Sequence, residues 1–376
     1  MPDPRITKLA KVLVHYSLEL KPGQHVTLRT NPLAEELALE VYREAIQAGA
    51  HVFLQLGLPG AEEVFYKHAS ENQLDFVSPV RKLITETFDA YLGIGAEINT
   101  RQLSGVDPKR MARVRKASAP LDKVFLERAA RNELRWCYTE FPTHASAQEA
   151  DMGLAEYRDF VFGAGMLDEP DPVAAWQKEG QRQKELIAWL KDRDKVIMKG
   201  PDVDLRLSIK GRTFKEADGK YNFPDGEIFT GPVEDSANGW IRFRYPAIYG
   251  GREVTDIELW FEDGKVVREK AGKGEELLTS LLDTDEAQDT WENGASAPIT
   301  TSRASPRICC STRNSAAPST WPSAPVIRKR GARITPAYTG ICSATCRRLR
   351  SGSMANCFTR MENRPYKIHY ESRRDH

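Results

Sequence analysis

The segment that decides the fold runs from His25 to Leu56 and reads HVTLRTNPLAEELALEVYREAIQAGAHVFLQL. Its two ends, His25–Arg29 and His51–Leu56, are short runs rich in branched and apolar residues, which predicts strands. The residues between them have helical spacing. Strand, helix and strand joined by short connections are typical of a parallel sheet, which we expect to be covered on both faces.

The helix inside this segment has clear start and stop signals. Asn31 can cap its first turn, Pro32 suits that turn because it needs no N–H there, and Gly49 can end the helix. Its apolar residues recur at helical period and predict one buried stripe, formed by Leu37, Val41, Ala45 and Ala48.

The same alternation continues along the first half of the chain. Ala90–Gly93 and Leu134–Phe141 are predicted strands, and Pro108–Asn132 between them is a predicted long helix. From Glu149 to Asp192 the pattern is mostly helical. We therefore predict an N-terminal α/β domain over residues 1–194.

After Lys195 the apolar period changes from about 3.6 to 2, which indicates strands. Asp256–Glu262 and Lys265–Lys270 flank Asp263-Gly264, a strong signal for a two-residue hairpin. We predict a β-rich α+β domain whose first part covers residues 195–289. Its last predicted element is a helix over Glu275–Leu282, and we expect the domain to be incomplete at its C-terminal end.

The composition changes abruptly near Gly294. The last 83 residues contain one leucine, five of the six cysteines, 15 basic residues and three acidic ones, against 39 basic and 50 acidic residues before them. The front part contains only Cys137, no basic leader followed by an apolar run, and no apolar stretch long enough for a membrane helix. We expect a cytoplasmic protein that binds neither membranes nor nucleic acid.

Tyr221–Asp235 is the segment that best predicts a functional site. A Pro-Asp-Gly turn precedes Glu227, and Glu234 and Asp235 follow closely. Carboxylates held beside strands can bind divalent metals. A polar loop entering a strand explains the same spacing and is the commoner case.

Other motifs in the front part are weaker. Gly93-Ile-Gly95 lacks the third glycine of a dinucleotide-binding loop. We expect His25 and His51 to be packing or surface residues and His144 to lie in a loop.

Three regions resemble the thermophilic metalloaminopeptidases of the aminopeptidase T and aminopeptidase S type. They are Asn222-Phe-Pro-Asp-Gly-Glu-Ile-Phe-Thr-Gly-Pro232, the segment Phe141–Met152 with Tyr157–Val161 after it, and the region Trp240–Leu282. The similarity runs from residue 1 to about residue 285, and long ordered motifs match. It implies an α/β N-terminal domain, a metal-binding C-terminal domain and removal of N-terminal residues from peptides.

The same resemblance implies a site with two divalent ions (Zn, Co, Mn or Mg), and it makes Glu227 the first metal ligand. The family's further ligands and its catalytic tyrosine fall beyond residue 285, where this chain has no matching residue. No catalytic residue is therefore predicted in this reading frame. The substrate implied is a peptide with a free N-terminus, and the intact family is expected to form homodimers. We expect this chain to lose its metals and to be inactive.

A shifted reading frame accounts for the missing motifs. If each alternate codon joins the last base of one residue to the first two of the next, Thr290–Thr300 can encode Leu-Gly-Glu-Trp-Gly-Ile-Gly-Thr-Asn-Tyr, which resembles the family's second ligand motif. The codons of Ser315–Arg330 and Arg333–Cys342 can give the remaining ligands and the tyrosine in order. We therefore predict a frameshift near Gln288–Thr290 and a non-native segment over residues 290–376.

Alternatives for the tail and for the whole chain stay open. Cys342 and Cys346 with Cys309-Cys310 could suggest zinc, but their spacing is irregular and no histidine is near. The basic excess could suggest nucleic-acid binding, although aromatic residues are sparse there. The alternative for the chain as a whole is a non-enzymatic, truncated α/β module that binds a peptide or a partner.

Overall fold

The computed structural model describes residues 3–249, 252–283 and 367–371. The N-terminal part begins with a helix that continues into a π-helix at Val12–Ser17, and a 3-10 turn at Pro32–Ala34 precedes the second helix. Its helices are α1 (Pro4–Lys11), α2 (Glu35–Gln47), α3 (Ala61–His68), α4 (Glu71–Leu74), α5 (Pro79–Thr87), α6 (Pro108–Ala130), α7 (His144–Glu149), α8 (Leu154–Ala164) and α9 (Pro172–Leu190). Its strands are β1 (His25–Thr30), β2 (His51–Leu56), β3 (Ala90–Gly95) and β4 (Arg135–Glu140).

These four strands form a parallel sheet, as the strand-helix-strand pattern predicted. Its order is β2-β1-β3-β4, with a fifth short strand added beside β4. The helix signals are also confirmed: the Asn31 side chain accepts a hydrogen bond from the Leu33 N–H, and Gly49 follows α2 with a φ of 80°. The N-terminal α/β class is therefore as expected.

The expectation that both faces of the sheet are covered is wrong for its edge. In β2, Phe53 is 41% exposed, Leu54 42% and Leu56 57%. Alternate residues of a strand point to opposite faces, so β2 is exposed on both sides. The strand itself is as predicted, but its edge position leaves these side chains exposed.

The two faces of the sheet differ in chemistry. Val26 and Leu28 of β1 and Leu92 of β3 are at most 2% exposed and belong to the apolar core beneath α1 and α2. The opposite face presents polar side chains from β1, β3 and β4, and α5 and α6 lie over it, with Arg81 donating hydrogen bonds to Ser118 and Asp122. A half-polar parallel sheet is unusual, since such sheets normally bury apolar residues on both faces.

The C-terminal part is rich in antiparallel strands, as the change of period at residue 195 predicted. Its strands are β5 (Lys195–Gly200), β6 (Val203–Ser208), β7 (Lys215–Ala217), β8 (Asn222–Phe223), β9 (Glu227–Phe229), β10 (Asn238–Phe243), β11 (Ala247–Tyr249), β12 (Arg252–Val254), β13 (Ile257–Glu262) and β14 (Lys265–Lys270), and its helix is α10 (Glu275–Asp283). The main sheet has the order β14-β13-β10-β6-β5 and a sixth strand at the β5 edge.

The hairpin predicted at Asp263-Gly264 is confirmed. Glu262 pairs with Lys265, and both turn residues have positive φ, 45° at Asp263 and 78° at Gly264. A Cβ on Gly264 would lie 1.8 Å from the Glu234 carbonyl oxygen, so only glycine fits beside that backbone.

Two strands occupy places that the predicted division of the chain did not include. β8 leaves the antiparallel half and joins the N-terminal sheet, where it pairs in parallel with β4. The other is β15 (Lys367–Glu371), which pairs antiparallel with β5, although α10 was expected to be the last element. Its five-residue alternation was hidden by the surrounding tail composition. The rest of the predicted non-native segment, 290–366 and 372–376, lies outside the described residues. Among the residues described, no helix is long and apolar enough to cross a membrane.

We expect Gly264→Ala to destabilise the C-terminal half, because a methyl group there meets the Glu234 backbone. The loss in free energy of unfolding should be at least about 2 kcal/mol, measured by urea titration. Gly211→Ala is the matched control, since Gly211 also has positive φ (69°) but has no atom near its Cβ position. Equal losses in the two variants would contradict the steric explanation.

We expect Glu62→Gln to flatten the pH dependence of stability. Burial raises the pKa of Glu62 from 4.5 to about 7. A group whose pKa is raised by folding contributes its full stability below its unfolded value, and this is lost as the pH rises through about 7. The variant should therefore gain about 1–3 kcal/mol over the wild type near pH 8 and nothing near pH 4.

Urea midpoints across this pH range provide the measurement. Glu86→Gln, at an exposed glutamate of α5, is the control and should leave the pH profile unchanged. Parallel wild-type and Glu62→Gln profiles would show that the Glu62 carboxyl titrates normally.

Candidate metal centre

Glu227, the predicted metal ligand, is the first residue of β9. β9 pairs antiparallel with β7 through Glu227 opposite Ala217, and the Gly226 N–H donates to the Ala217 carbonyl at 2.9 Å. The preceding Pro224-Asp225-Gly226 turn connects β8 on the N-terminal sheet with β9. The motif therefore lies where the two halves of the chain meet.

Two carboxylates in this turn have unsatisfied oxygens. Glu227 Oε1 and Asp225 Oδ1 are buried and accept no hydrogen bond. Asp225 is 3% exposed, and burial raises its pKa well above its ordinary value, with the charge of Glu227 adding to the rise. Sequence reasoning did not single out Asp225, although its place two residues before Glu227 was the available signal.

Two buried polar side chains hydrogen-bond to the backbone of the β7 region, against which the turn lies. Gln183 of α9 is 3% exposed and bonds Ala217 twice, its Nε2 donating to the carbonyl at 3.2 Å and its Oε1 accepting from the N–H at 3.0 Å. Tyr16 donates its hydroxyl to the Asp218 carbonyl at 2.9 Å. These bonds fix the β7 strand against which Glu227 pairs.

An aromatic contact fixes the other end of the turn. Phe223 is 3% exposed and packs against Trp176 of α9 with ring centroids 5.2 Å apart. Trp176 is fully buried, and its Nε1 donates to the Gly165 carbonyl at 2.9 Å. The backbone on both sides of Asp225 is therefore anchored to the N-terminal half.

The described residues supply part of a metal site and do not complete one. Buried carboxylate oxygens without donors are the acceptors that a divalent cation would satisfy. However, no group of three or more histidine, cysteine, aspartate or glutamate side chains within the described ranges is arranged to hold a metal. Because tight sites need three or four ligands in fixed geometry, these residues alone do not fit the expected ions.

The other residues considered from sequence do not join this centre. Glu234 forms an ion pair with Arg212, and Asp235 is exposed. His25 of β1 and His51 of the neighbouring edge strand β2 are exposed with ring centroids 5.3 Å apart, which confirms them as surface residues. His144 is also exposed, but it begins α7 instead of lying in a loop.

A parallel sheet with its helices is joined through a carboxylate-bearing turn to an antiparallel sheet, so the chain is a two-part mixed α/β protein. The family model described as thermophilic metalloprotease (M29) matches residues 2–290. The chain therefore belongs to the M29 thermophilic metalloprotease family, a family of enzymes, and the predicted resemblance is confirmed.

Similar proteins are aminopeptidases by name. The chain is 26% identical over 306 residues to aminopeptidase 2 of Geobacillus stearothermophilus, covering 76% of this chain and 74% of that protein. It is 29% identical over 307 residues to aminopeptidase T of Thermus thermophilus, covering 75% and 74%. The solved structure of wild-type AmpT from Thermus thermophilus matches with a TM-score of 0.65 at 26% identity, covering 75% of each chain.

We expect Gln183→Ala to destabilise the turn before Glu227 more than Gln181→Ala does. The substitution leaves the Ala217 N–H without its partner and removes one of the two hydrogen bonds that the Ala217 carbonyl accepts, the other coming from the Gly226 N–H, which should cost about 1–3 kcal/mol. Gln181→Ala, at an exposed position of the same helix, is the control and should stay within about 0.5 kcal/mol of wild type. Urea titration measures both. A Gln183→Ala loss no larger than the control's would show that these bonds do not stabilise the turn.

Proposed function

We propose that the function of this lineage is removal of N-terminal residues from peptides by metal-activated water, and that Glu227 is one metal ligand. Family membership supports metal-dependent proteolysis, and the relatives named aminopeptidase support the choice of the peptide N-terminus. The observation that carries the site is the placement of Glu227 at the first position of β9, directly after the turn that holds the buried carboxyl of Asp225. In the intact family, two divalent ions would lower the pKa of a bound water and polarise the scissile carbonyl.

We further propose that this chain is inactive as written. A carboxylate pair cannot hold two ions at useful affinity, and residues 284–376 contain no motif that resembles the family's remaining ligands. The family match supports this division, because it ends at residue 290, beside the change in composition. What the chain retains is the N-terminal half and the first ligand turn.

The reading-frame hypothesis gives the physical cause of that loss. A frameshift near Gln288–Thr290 would leave the bases for the missing ligands in the gene and remove them from the protein. Sequencing the DNA across this position tests it. An unbroken reading frame that encodes Trp291 onward as given, matched by the intact protein mass, would leave only a lesion in the organism itself, and an extra or missing base would assign it to sequencing error.

A non-enzymatic, truncated binding module is the second candidate. It is favoured by the absence of a three-ligand cluster among the residues described. Metal content separates an active enzyme from a binding module, since only the active enzyme needs bound ions. Homodimer formation and a cytoplasmic location stay predictions, to be tested by light scattering and by fractionation.

We expect the purified chain to hold much less than one equivalent of divalent metal and to leave a leucine anilide uncleaved. Metal analysis after dialysis against Zn²⁺ or Co²⁺, followed by an absorbance assay, tests both points. Glu227→Gln is the matched variant and should change neither result, because a single ligand cannot retain an ion. Cleavage with stoichiometric metal, lost in Glu227→Gln, would show that the chain is an active enzyme.

A further inference from the structure

The polar face of the N-terminal sheet includes the position at which the connections between strands change direction. In the order β2-β1-β3-β4, the strand that follows β1 in sequence lies on one side of it. The next two strands, β3 and β4, lie on its other side. The connecting helices α2 and α6 consequently lie on opposite faces. Doubly wound sheets of this order bind ligands at the carboxyl ends of the strands between β1 and β3, where the connections diverge.

Arg29, Gly93 and Tyr138 lie side by side across this position. Arg29 of β1 is in register with Gly93 of β3, and Gly93 with Tyr138 of β4. Two strand spacings separate the outer residues by about 10 Å. A Cβ on Gly93 would lie 3.0 Å from a Tyr138 ring carbon and 3.5 Å from one of Tyr91, so both rings lean over the glycine.

Three hydroxyl groups on this face have no partner. Thr27 is 0% exposed, and its Oγ1 makes no hydrogen bond. The hydroxyls of Tyr91 and Tyr138 are also buried and unpaired. Thr27 is in register with Tyr91, and this pair lies two residues before the pair Arg29–Gly93 on the same face of the sheet. A buried hydroxyl without a partner is costly, and each can donate one hydrogen bond.

Arg29 has no hydrogen-bonded partner among the described residues, although the charge of the Glu62 carboxyl acts on it. It forms no hydrogen bond or ion pair with any residue in 3–249, 252–283 or 367–371. Its charge acts on Tyr138, Glu62 and Arg81, which places it among these groups. A partly buried guanidinium beside unpaired hydroxyl donors requires an acceptor with negative charge.

The nearby carboxyls do not fill that role. Burial raises the pKa of Glu62 to about 7 and that of Glu140 well above its ordinary value, which disfavours the charged form of both carboxyls. Glu97 has an interaction of its own. A carboxyl whose charged form is disfavoured repels an anion less than a solvated carboxylate does.

From this geometry we propose that the polar face of the sheet at the carboxyl ends of β1 and β3 binds the carboxylate of a peptide or amino acid, held by Arg29 and by the Tyr138 hydroxyl. A carboxylate is favoured over phosphate for two reasons. The segment after β1, Thr30-Asn31-Pro32, has no glycine, Pro32 has no N–H, and the Leu33 N–H is bonded to Asn31, so the backbone cradle of phosphate loops is missing. A single planar guanidinium matches a carboxylate in bidentate geometry.

The test uses the full chain and N-acetyl-leucylglycine, which has a free carboxylate and a blocked N-terminus. Binding is measured by ligand-observed NMR against the C-terminal amide of the same compound. The acid should bind at least about tenfold more tightly, because only the acid can form charge-assisted hydrogen bonds with Arg29. This experiment needs neither metal nor cleavage, so its result is independent of the proposed peptidase activity.

Substitutions in the full chain test which residues bind the carboxylate. Arg29→Gln should weaken binding of the acid about tenfold or more and leave that of the amide unchanged. Tyr138→Phe should weaken binding of the acid several-fold. It should not lower the urea midpoint, because the hydroxyl that it removes has no hydrogen-bond partner in the protein. Arg206→Gln, at an exposed arginine of β6, is the matched control and should change neither.

Free leucine and inorganic phosphate complete the experiment. Leucine binding as tightly as the blocked peptide would assign the carboxylate to amino acids, and weaker binding would assign it to peptides. Equal affinity for acid and amide, unchanged binding in Arg29→Gln, or tighter binding of phosphate than of the acid would each overturn the proposal.

Discussion

The pairing of β8 with β4 is the contact on which the arrangement of this molecule depends. Only Asn222 and Phe223 take part, opposite Tyr138 and Thr139, yet they attach a segment of the C-terminal half to the N-terminal sheet. Phe223 is buried against Trp176, so separating β8 from β4 would expose aromatic surface from both halves. Because the strand ends two residues before Asp225, the carboxylate turn takes its position from the parallel sheet.

Unsatisfied polar groups are concentrated in two places with opposite character. Beside β8 they are acceptors, the oxygens of Asp225 and Glu227, and such a cluster is stabilised by a cation. On the polar face of the sheet they are donors, the hydroxyls of Thr27 and Tyr138 together with Arg29, and such a cluster is stabilised by an anion. Buried groups of this kind cost free energy in the empty protein, which is why they point to ligands and not to packing.

Local sequence signals predicted the elements well because each rests on a local physical rule. Asn31 caps a helix through its own side chain, and Asp263-Gly264 forms a hairpin because both residues accept positive φ. The failures concern neighbours that are distant in sequence. The apolar run of β2 does not show that it lies at an edge, and the two residues of β8 are too few to indicate a strand or its partner. The short alternation of β15 was concealed by the tail around it.

For the candidate site, too, some features were predicted from the sequence and others were visible only in the structure. The sequence by itself determined the family, the composition break and the identity of Glu227 as the ligand candidate, because ordered motifs and residue counts need no coordinates. Only the tertiary structure placed Asp225 beside Glu227 as a second buried acceptor, and only the strand register brought Arg29 and Tyr138 to the two sides of Gly93. The physical reason is that burial and cross-strand adjacency depend on which strands pair, and pairing is decided by packing of the whole chain.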